Sequence, residues 1–320
     1  ERSVDAEDVK SYTLSIVEDK DNPKLMFLGT DDGLYISFDA ADHWQKWSEG
    51  FPTVSTKDLV IHPREQDLVI GTFGRAAWVL DDIRPLRALA ADKTILNQDI
   101  SLFPSPDAYL AAYQQPTGSR FGGDALYNAE NRSGGAMITY YLKEGKKERK
   151  PMAKKDGEEK KEEDEVAGKK KTKDTVFFKI YDGDRLIRTL KYKTPEKKGF
   201  HRVYWGLDEK GPDRPSRSIR KGNRERGGVT VKPGTYKVMV EYGESTDETA
   251  VTVKTDPRLN VSLESLNAVY KTSKKLETHM QTSADAVKQL VESKNIANKY
   301  EKELKTLDKK KYKEQITASR

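Results

Sequence analysis

The stretch "LMFLGTDDGLYISFDAA", residues 25–41, returns in altered form 42 residues later as "DLVIGTFGRAAWVLDDI", residues 67–83. Each copy predicts a strand, a polar turn containing proline, a second strand, a Gly-Thr corner and a third alternating strand. The overlay brings together three sets of positions: Gly29-Thr30 with Gly71-Thr72, Ile36 with Trp78, and Asp39 with Asp81.

A period of this length built from short strands is typical of a β-propeller blade. Two copies cannot close a ring, because propellers have about four or more blades. We therefore expect a mainly β chain in which residues 1–90 form the last one or two blades of a larger propeller. The missing blades would lie upstream or on another chain. The opening residues, "ERSVDAEDVKSYTL", contain neither an initiator methionine nor a signal peptide, which indicates a piece of a longer protein.

The stretch "SFDAADHW", which begins at Ser37, resembles the Asp-box of BNR-repeat proteins, whose pattern is Ser-x-Asp-x-Gly-x-x-Trp. Ser37, Asp39 and Trp44 match it, and Ala41 stands where the glycine is usual. The resemblance implies that Asp39 is structural: it accepts backbone N–H bonds across the hairpin between the outer two strands of a blade. Trp44 would bury its ring between adjacent blades. The second copy has lost the box, because Leu86 stands where the tryptophan would fall.

Residues 91–135 are rich in proline and in Gly-Gly pairs, and we expect an extended connector along the edge of the propeller. Residues 136–256 then contain short alternating segments over about 120 residues, which predict an antiparallel, Ig-like β-sandwich. Tyr236 is placed to act as a tyrosine corner of that sandwich. The predicted strands are 136–143, 175–183, 185–192, 199–207, 234–243 and 247–256.

Half of the formal charge of +6 comes from residues 144–173, which hold 12 Lys or Arg and 9 Asp or Glu. Alternating blocks of both signs indicate a disordered, solvated insertion rather than a phosphate-binding surface. An arginine-rich loop at 214–226 lacks the interleaved aromatic residues of a nucleic-acid site. The sequence therefore gives no reason to expect a nucleic-acid partner.

Three further stretches, "FKIYDGDRLIRTL", "GFHRVYWGLDEKGP" and "VKPGTYKVMVEYG", resemble the FlgD-like immunoglobulin domain of bacterial secreted proteins. Together with "VIHPREQDLVIGTFGRAAWVLDDIRPLR", the arrangement resembles a group of BNR-repeat, sortilin-propeller-like, "glycosyl hydrolase-like" proteins of Bacteroidetes. The resemblance covers residues 10–260. It implies an extracytoplasmic location, in the periplasm, secreted, or at the cell surface in association with the outer membrane of a Gram-negative bacterium. The absence of cysteine suits an exported protein that does not rely on disulfides.

Residues 257–320 read as a helical tail. Ser262 is a suitable N-cap, and apolar residues recur behind it at helical spacing. The pattern predicts either one long helix or a helical hairpin broken near Asn295. Its thin apolar stripe indicates a helix that docks on another surface, either that of a partner or that of its own propeller.

The sequence contains few candidates for chemistry. Its four histidines have no partners at metal-ligand spacing, and no nucleophile elbow, P-loop or dinucleotide fingerprint is present, so no metal or cofactor is predicted. Asp31 and Asp32, at the Gly-Thr corner of the first copy, are weak candidates for catalytic carboxylates of a glycosidase. Arg75, at the matching corner of the second copy, is a weak candidate for a sugar or carboxylate contact.

These observations favour a non-catalytic portion of a larger exported propeller protein, with a binding or scaffolding role. Its partners would be the rest of the propeller, on the same or another chain, and a cell-surface protein complex or glycan. The alternative is the structural C-terminal part of a propeller glycoside hydrolase whose catalytic blades lie upstream. The sequence contains no run of 18 apolar residues, so no membrane-spanning segment is expected.

Overall fold

The structure is a computed structural model, and it describes residues 7–111, 132–145, 174–218, 225–306 and 313–318. The predicted charged insertion therefore lies almost wholly outside the described residues, as do part of the predicted connector and part of the arginine-rich loop. Within the described residues the chain is mainly β and ends in helix. None of the helices there combines the length and the hydropathy that a membrane span needs.

The two copies of the repeat form two separate antiparallel sheets. The first repeat sheet has four strands in the order β1-β2-β3-β4, and the second has three in the order β5-β6-β7. The overlay predicted three strands per copy, so β4 is an addition in the first. The bounds are β1 Thr13–Glu18, β2 Met26–Thr30, β3 Gly33–Ser37, β4 Gln45–Trp47, β5 Thr56–Ile61, β6 Leu68–Thr72 and β7 Ala77–Leu80.

Strand pairing corrects one detail of the overlay. Leu28 is paired with Tyr35 in the first repeat sheet, and Ile70, its counterpart in the second, is paired with Trp78. The counterpart of Trp78 is therefore Tyr35 and not Ile36. A one-residue offset in the third strand matters, because it moves every side chain to the opposite face of the sheet.

Directly paired residues share a face, so each repeat sheet has two faces made of equivalent positions. We call the front face the one with Val17, Phe27 and Ile36 in the first sheet and Val60, Val69 and Val79 in the second. The back face carries Ile16, Leu28 and Tyr35 in the first sheet and Leu59, Ile70 and Trp78 in the second.

The front face of the first repeat sheet packs on the back face of the second. Phe27 and Ile36 lie in one core cluster with Leu59 and Ile70, and all four are nearly inaccessible to solvent. The back face of the first sheet belongs to a different, smaller cluster. The two copies are therefore stacked in the same sense, front to back, as successive members of a series.

Helix α1 (Arg84–Ala91) fastens this stack at one end. Proline occupies its first turn, where a missing backbone N–H costs nothing. Arg87 reaches the β1–β2 turn, where its Nε and Nη2 donate to the two carboxylate oxygens of the fully buried Asp19 at 2.5 and 2.6 Å. Its Nη2 also donates to Gln66 Oε1, in the β5–β6 turn, at 2.6 Å. One guanidinium thus joins the corresponding turns of both copies.

The predicted connector is extended only in part, because Ile100–Leu102 (β8) and Ala108–Leu110 (β9) join the sheets that follow. A three-stranded sheet, β13-β10-β8, and a five-stranded sheet, β12-β11-β16-β17-β9, enclose one hydrophobic core. Strands β14 and β15 form a separate two-stranded antiparallel sheet, the small hairpin. The strands are β10 Ala136–Leu142, β11 Thr175–Asp182, β12 Arg185–Lys193, β13 Gly199–Trp205, β14 Asp208–Lys210, β15 Gly227–Thr230, β16 Gly234–Tyr242 and β17 Ser245–Thr255.

The tail is one long helix, α2 (Leu263–Thr306), followed by a short helix, α3 (Lys313–Ala318). Ser262 caps α2 as predicted: its hydroxyl accepts the N–H of Ser265 at 3.1 Å. The helix continues through Asn295, so the alternative of a hairpin broken there is wrong. Its first turns pack against β15 of the small hairpin.

Candidate functional site

The turn that links β3 to β4 contains the Asp-box residues and is closed by its own side chains. Asp39 Oδ1 accepts from Ser37 Oγ at 2.8 Å and from the backbone N–H of His43 at 2.9 Å, and Oδ2 lies 2.9 Å from His43 Nδ1. Ser37 Oγ accepts the N–H of Ala41 at 3.0 Å. Ala40 and Ala41 both have left-handed backbones, with φ of 64° and 72°. Both carboxylate oxygens of Asp39 are thus engaged in contacts within the turn.

The same contacts set the protonation of Asp39. Partial burial raises the pKa of this carboxyl, but the bonds from the backbone and ring of His43 and from Ser37 outweigh burial and lower the pKa to about 2. The carboxylate in return raises the pKa of the His43 imidazole through their hydrogen bond. A carboxylate held ionised by three local contacts is suited to fixing a turn and poorly suited to donating a proton.

Trp44 is buried on the back face of the first repeat sheet. Its ring packs with Val9, Leu28 and Tyr35 on the back face of the first repeat sheet, the face turned away from the second. Its backbone N–H donates to Asp8 Oδ2 at 2.9 Å. Among the described residues, the ring therefore does not lie between the two repeat sheets.

The Asp-Asp corner after β2 separates the two carboxylates into different environments. Asp32 Oδ1 accepts from Thr30 Oγ1 at 2.7 Å, and Oδ2 pairs with Lys46 Nζ of β4 at 2.8 Å. Burial raises the pKa of Asp32, but the bonds from Lys46 and Thr30 outweigh it, and the net shift is downward. Asp31 is exposed, and its backbone N–H donates to the carbonyl of Tyr12 at 3.0 Å. The structure brings Asp32 to a cation of its own sheet.

Arg75 lies on the exposed turn between β6 and β7, where its carbonyl accepts the indole N–H of Trp78 at 3.0 Å. Among the described residues no acidic side chain forms an ion pair with its guanidinium. The neighbouring Phe73 is 73% exposed and lies under Lys57 Nζ, 5.9 Å from the ring centroid. This corner presents a cation and an aromatic ring to solvent. The described part of the chain contains no cluster of three His, Cys, Asp or Glu able to hold a metal.

The front face of the second repeat sheet is an open apolar surface that the sequence did not single out. Val60, Val69 and Val79 are directly opposite one another across β5, β6 and β7. Val60 is 52% exposed and Val79 is 55% exposed. The corresponding residues of the first sheet include Phe27 and Ile36, which are 0% and 2% exposed because the second sheet covers them.

The back face of the first repeat sheet shows the complementary difference. Ile16 is 55% exposed, whereas its counterpart Leu59 in the second sheet is 6% exposed. Leu14 of the same edge strand and Tyr12, just before that strand, are also exposed. The first sheet therefore leaves open the β1 edge of its back face, whereas Leu28 and Tyr35 on the same face are 2% and 5% exposed beside Trp44.

A second polar site joins α2 to the strands that follow the repeat sheets, through residues that are far apart in sequence. Glu209 is 4% exposed and accepts from Arg185 Nη2 at 2.9 Å, from Lys274 Nζ at 3.1 Å and from the hydroxyl of Tyr270. Burial raises the pKa of Glu209, but these three donors lower it to about 2. Glu277 of the same helix accepts the backbone N–H of Val229 at 2.7 Å.

Beside this site, a groove of about 580 Å³ lies between the first turns of α2 and strand β15. Its helix side is apolar, and its rim carries cationic side chains from the segments around the hairpin. Part of the arginine-rich loop next to it lies outside the described residues. The apolar residues on the helix side are Leu266, Val269, Leu276 and Met280, and the cations are Arg214, Arg226 and Lys232.

Comparisons with known proteins identify no family. No family model matches the chain, and no curated protein matches it either. One solved structure is similar over 77% of this chain: the extracellular domain of a putative one component system from B. thetaiotaomicron. The two are 10% identical with a TM-score of 0.18, and this chain covers 25% of that one. A similarity of this strength carries no argument about function.

Proposed function

We propose that this chain is a non-catalytic, structural and binding portion of a larger β-propeller protein. The two repeat sheets would be two of its blades, followed by an Ig-like sandwich and a helical tail. The single observation behind the proposal is that the front face is buried in the first repeat sheet and open in the second. The chain would act in an exported bacterial protein that engages a cell-surface protein or glycan.

The front-to-back stacking supports further blades on both sides. In a ring, the front face of every blade packs on the back face of the next. Here Phe27 and Ile36 make that contact, whereas Val79 of the last front face and Ile16 of the first back face are about half exposed. Because the open surfaces are a front face and the β1 edge of a back face, additional blades of the same kind could cover both.

The energetic argument can be made for the open front face. Burying a valine or isoleucine side chain completely is worth roughly 1.5–3 kcal/mol. Two valines half exposed on the open front face therefore offer on the order of 1–3 kcal/mol to a covering sheet. The paired strands already fix these side chains, so a covering blade would order little that is not ordered already.

The Ig-like part of the proposal rests on a contact within the sandwich. The hydroxyl of Tyr236 donates to the carbonyl of Lys232 at 2.7 Å, four residues upstream, and its ring meets the buried Trp205 edge-on at 5.3 Å. A tyrosine that ties its hydroxyl to nearby upstream backbone is the corner found in Ig-like sandwiches. Burial raises the pKa of Tyr236 to about 12. The phenol therefore stays a hydrogen-bond donor at neutral pH.

A single-cysteine experiment tests the proposal, because the chain contains no cysteine of its own. The Val79→Cys substitution is made both in this chain, purified alone, and in the complete protein produced by its source cells. The rates at which maleimide labels the thiol in the two samples are then compared. We expect the thiol to react about tenfold more slowly in the native protein, the factor produced by about 1.4 kcal/mol of burial.

Two control variants accompany the experiment. His43→Cys, at a side chain that is 77% exposed, should label equally in both samples. Ile36→Cys, at a buried position, should be slow in both. If Val79→Cys labels as fast in the native protein as in the isolated chain, the front face is open in the cell and the proposal fails.

The enzyme alternative is tested on the complete protein. Because Asp32 is neutralised by Lys46 and Asp31 is an exposed turn residue, we expect Asp31→Ala and Asp32→Ala to leave any polysaccharide hydrolysis unchanged. Loss of hydrolysis in either variant, with unchanged thermal stability, would place catalysis at this corner and overturn the non-catalytic assignment.

A further inference from the structure

We infer that the outer edge of β7 accepts one extended peptide strand from the polypeptide that completes the propeller. The inference rests on the proposed function and adds to it a docking site and the chemistry of its occupant. It comes from a direct comparison of β7 with its counterpart β3, which is paired with an additional strand, β4.

The two strands differ in what pairs with them. β3 is hydrogen-bonded on both edges, to β2 and to β4, whereas β7 pairs with β6 alone among the described residues. An unpaired edge presents a row of backbone N–H and C=O groups, which is the template used when an extended peptide adds to a sheet.

The surroundings of β7 leave this edge accessible in the described part of the chain. Ala77 and Val79 are exposed, and Trp78 is only half-buried. Helix α1, which follows β7, is held by its Arg87 at the β1–β2 and β5–β6 turns. The position that β4 occupies in the first repeat sheet is therefore open in the second.

The pairing of β3 with β4 defines the occupant. Ile36 lies opposite Gln45, Tyr35 opposite Lys46 and Leu34 opposite Trp47. By the register established above, the corresponding positions of β7 are Val79, Trp78 and Ala77. The occupant is thus an antiparallel strand with a polar residue opposite Val79, a long side chain opposite Trp78 and an aromatic residue opposite Ala77.

Ala77 of β7 is smaller than its counterpart Leu34, and this favours a large side chain opposite it. In the first sheet Trp47 lies opposite Leu34, which is 1% exposed, whereas in the second the same place has an alanine. Alanine leaves room on the front face for a side chain at least as large as tryptophan. An aromatic residue there would also lie on the same face as Val79 and cover part of the open apolar surface.

The test uses the chain's own β4 as a probe. A labelled peptide of residues 41–50, "ADHWQKWSEG", is titrated against the whole chain to about 1 mM, because a few ladder bonds give weak affinity. We expect saturable binding, with slowed amide exchange in β7 and none in β3. A matched peptide with proline in place of its glutamine, the residue that would lie opposite Val79, removes a ladder N–H and should bind about tenfold more weakly.

Four results would overturn the inference. The first three are the absence of saturation, equal binding of the proline peptide, and protection of β3 in place of β7, which would mean exchange with the chain's own fourth strand. Protection of β7 that depends on chain concentration without peptide would make a second copy the occupant and would also overturn it. If the Val79→Cys thiol is protected in native protein while the peptide fails, the propeller stands and only the strand site is lost.

Discussion

The two repeat sheets begin alike and end differently. Both run through a Gly-Thr corner into a third strand, and beyond it the first sheet turns at Asp39 into a fourth strand. The second sheet instead continues through Asp82 into helix α1. The first copy therefore has a fourth strand, β4, paired with β3. In the second copy β7 is followed instead by helix α1, which joins the two copies.

The acidic residues at these two endings are in opposite situations. Asp39 is half-buried and fully engaged by its turn, with the pKa lowered to about 2. Asp82 is 2% exposed, and although Arg84 Nη1 donates to its Oδ1 at 2.6 Å, its Oδ2 is buried with no partner. Burial outweighs Arg84, so the pKa of Asp82 is raised. A turn that closes with its own side chains stabilises the ionised acid, whereas a buried junction does not.

The largest expected effect comes from separating the two copies at α1. Arg87→Met removes the guanidinium from Asp19, which is fully buried, and should cost about 3–5 kcal/mol of unfolding free energy, as an unpaired buried carboxylate does. Urea unfolding measures it. Arg64→Met is the control, since Arg64 is 75% exposed beside Glu65 and its loss should leave the unfolding midpoint almost unchanged. Equal losses would show that the helix does not join the copies.

The next effect compares the two equivalent corner glycines. A Cβ at Gly29 would lie 2.3 Å from Ser15 Oγ and 2.7 Å from the carbonyl oxygen of Thr56 on the second sheet. Gly29→Ala should therefore destabilise by about 1–3 kcal/mol. At Gly71 the nearest atom would be Asp58 Cβ at 3.4 Å, so Gly71→Ala should be neutral or stabilise by about 0.5 kcal/mol. Similar unfolding midpoints for the two variants would contradict the close front-to-back stacking at Gly29.

A smaller effect of opposite sign is expected in the Asp-box turn. Ala41 has a φ of 72°, a left-handed backbone that costs an alanine about 1–2 kcal/mol and a glycine almost nothing. Ala41→Gly should raise the unfolding free energy by about 1 kcal/mol. Ala77→Gly, in an ordinary strand, should lower it by about 0.5–1 kcal/mol, and a gain there as well would refute the conformational explanation.

The smallest effect is a difference in pH dependence between the two endings. The folded-state pKa of Asp39 is below its unfolded value, so its contribution to stability is present above about pH 4 and is lost as pH falls toward 2. The pKa of Asp82 is raised, so its ionisation lowers stability as pH rises from about 4. In urea unfolding at a series of pH values, Asp39→Asn should flatten the acid side and Asp82→Asn the side above pH 4. Parallel profiles would contradict the contrast.

Most strands of the three-stranded and five-stranded sheets could be predicted from the sequence. The six predicted segments correspond to β10 to β13, β16 and β17, with ends differing by one or two residues. Alternating side chains and turn residues are local signals, and they survive because each strand has one buried face. The short strands β8, β9, β14 and β15 were missed, since three or four residues carry no periodicity.

The candidate sites were harder to predict, because their meaning depends on partners distant in sequence. The sequence indicated Asp32 as a possible catalytic residue, but Lys46 approaches it only when β4 folds beside β3. Glu209 gave no signal, although it meets Arg185 and Lys274 on two other elements. No spacing rule connects such residues before the chain has folded.

What the sequence determined by itself is the repeat, the alternation of its strands and the capped helix, all of which arise from neighbours within a few residues. Tertiary structure alone decided the one-residue offset that makes Tyr35 the counterpart of Trp78, and with it which faces are buried. It also decided that Val79 is open while Ile36 is closed. The physical reason is that a sheet face is defined by the sheet that covers it, and covering is a long-range contact that no local pattern encodes.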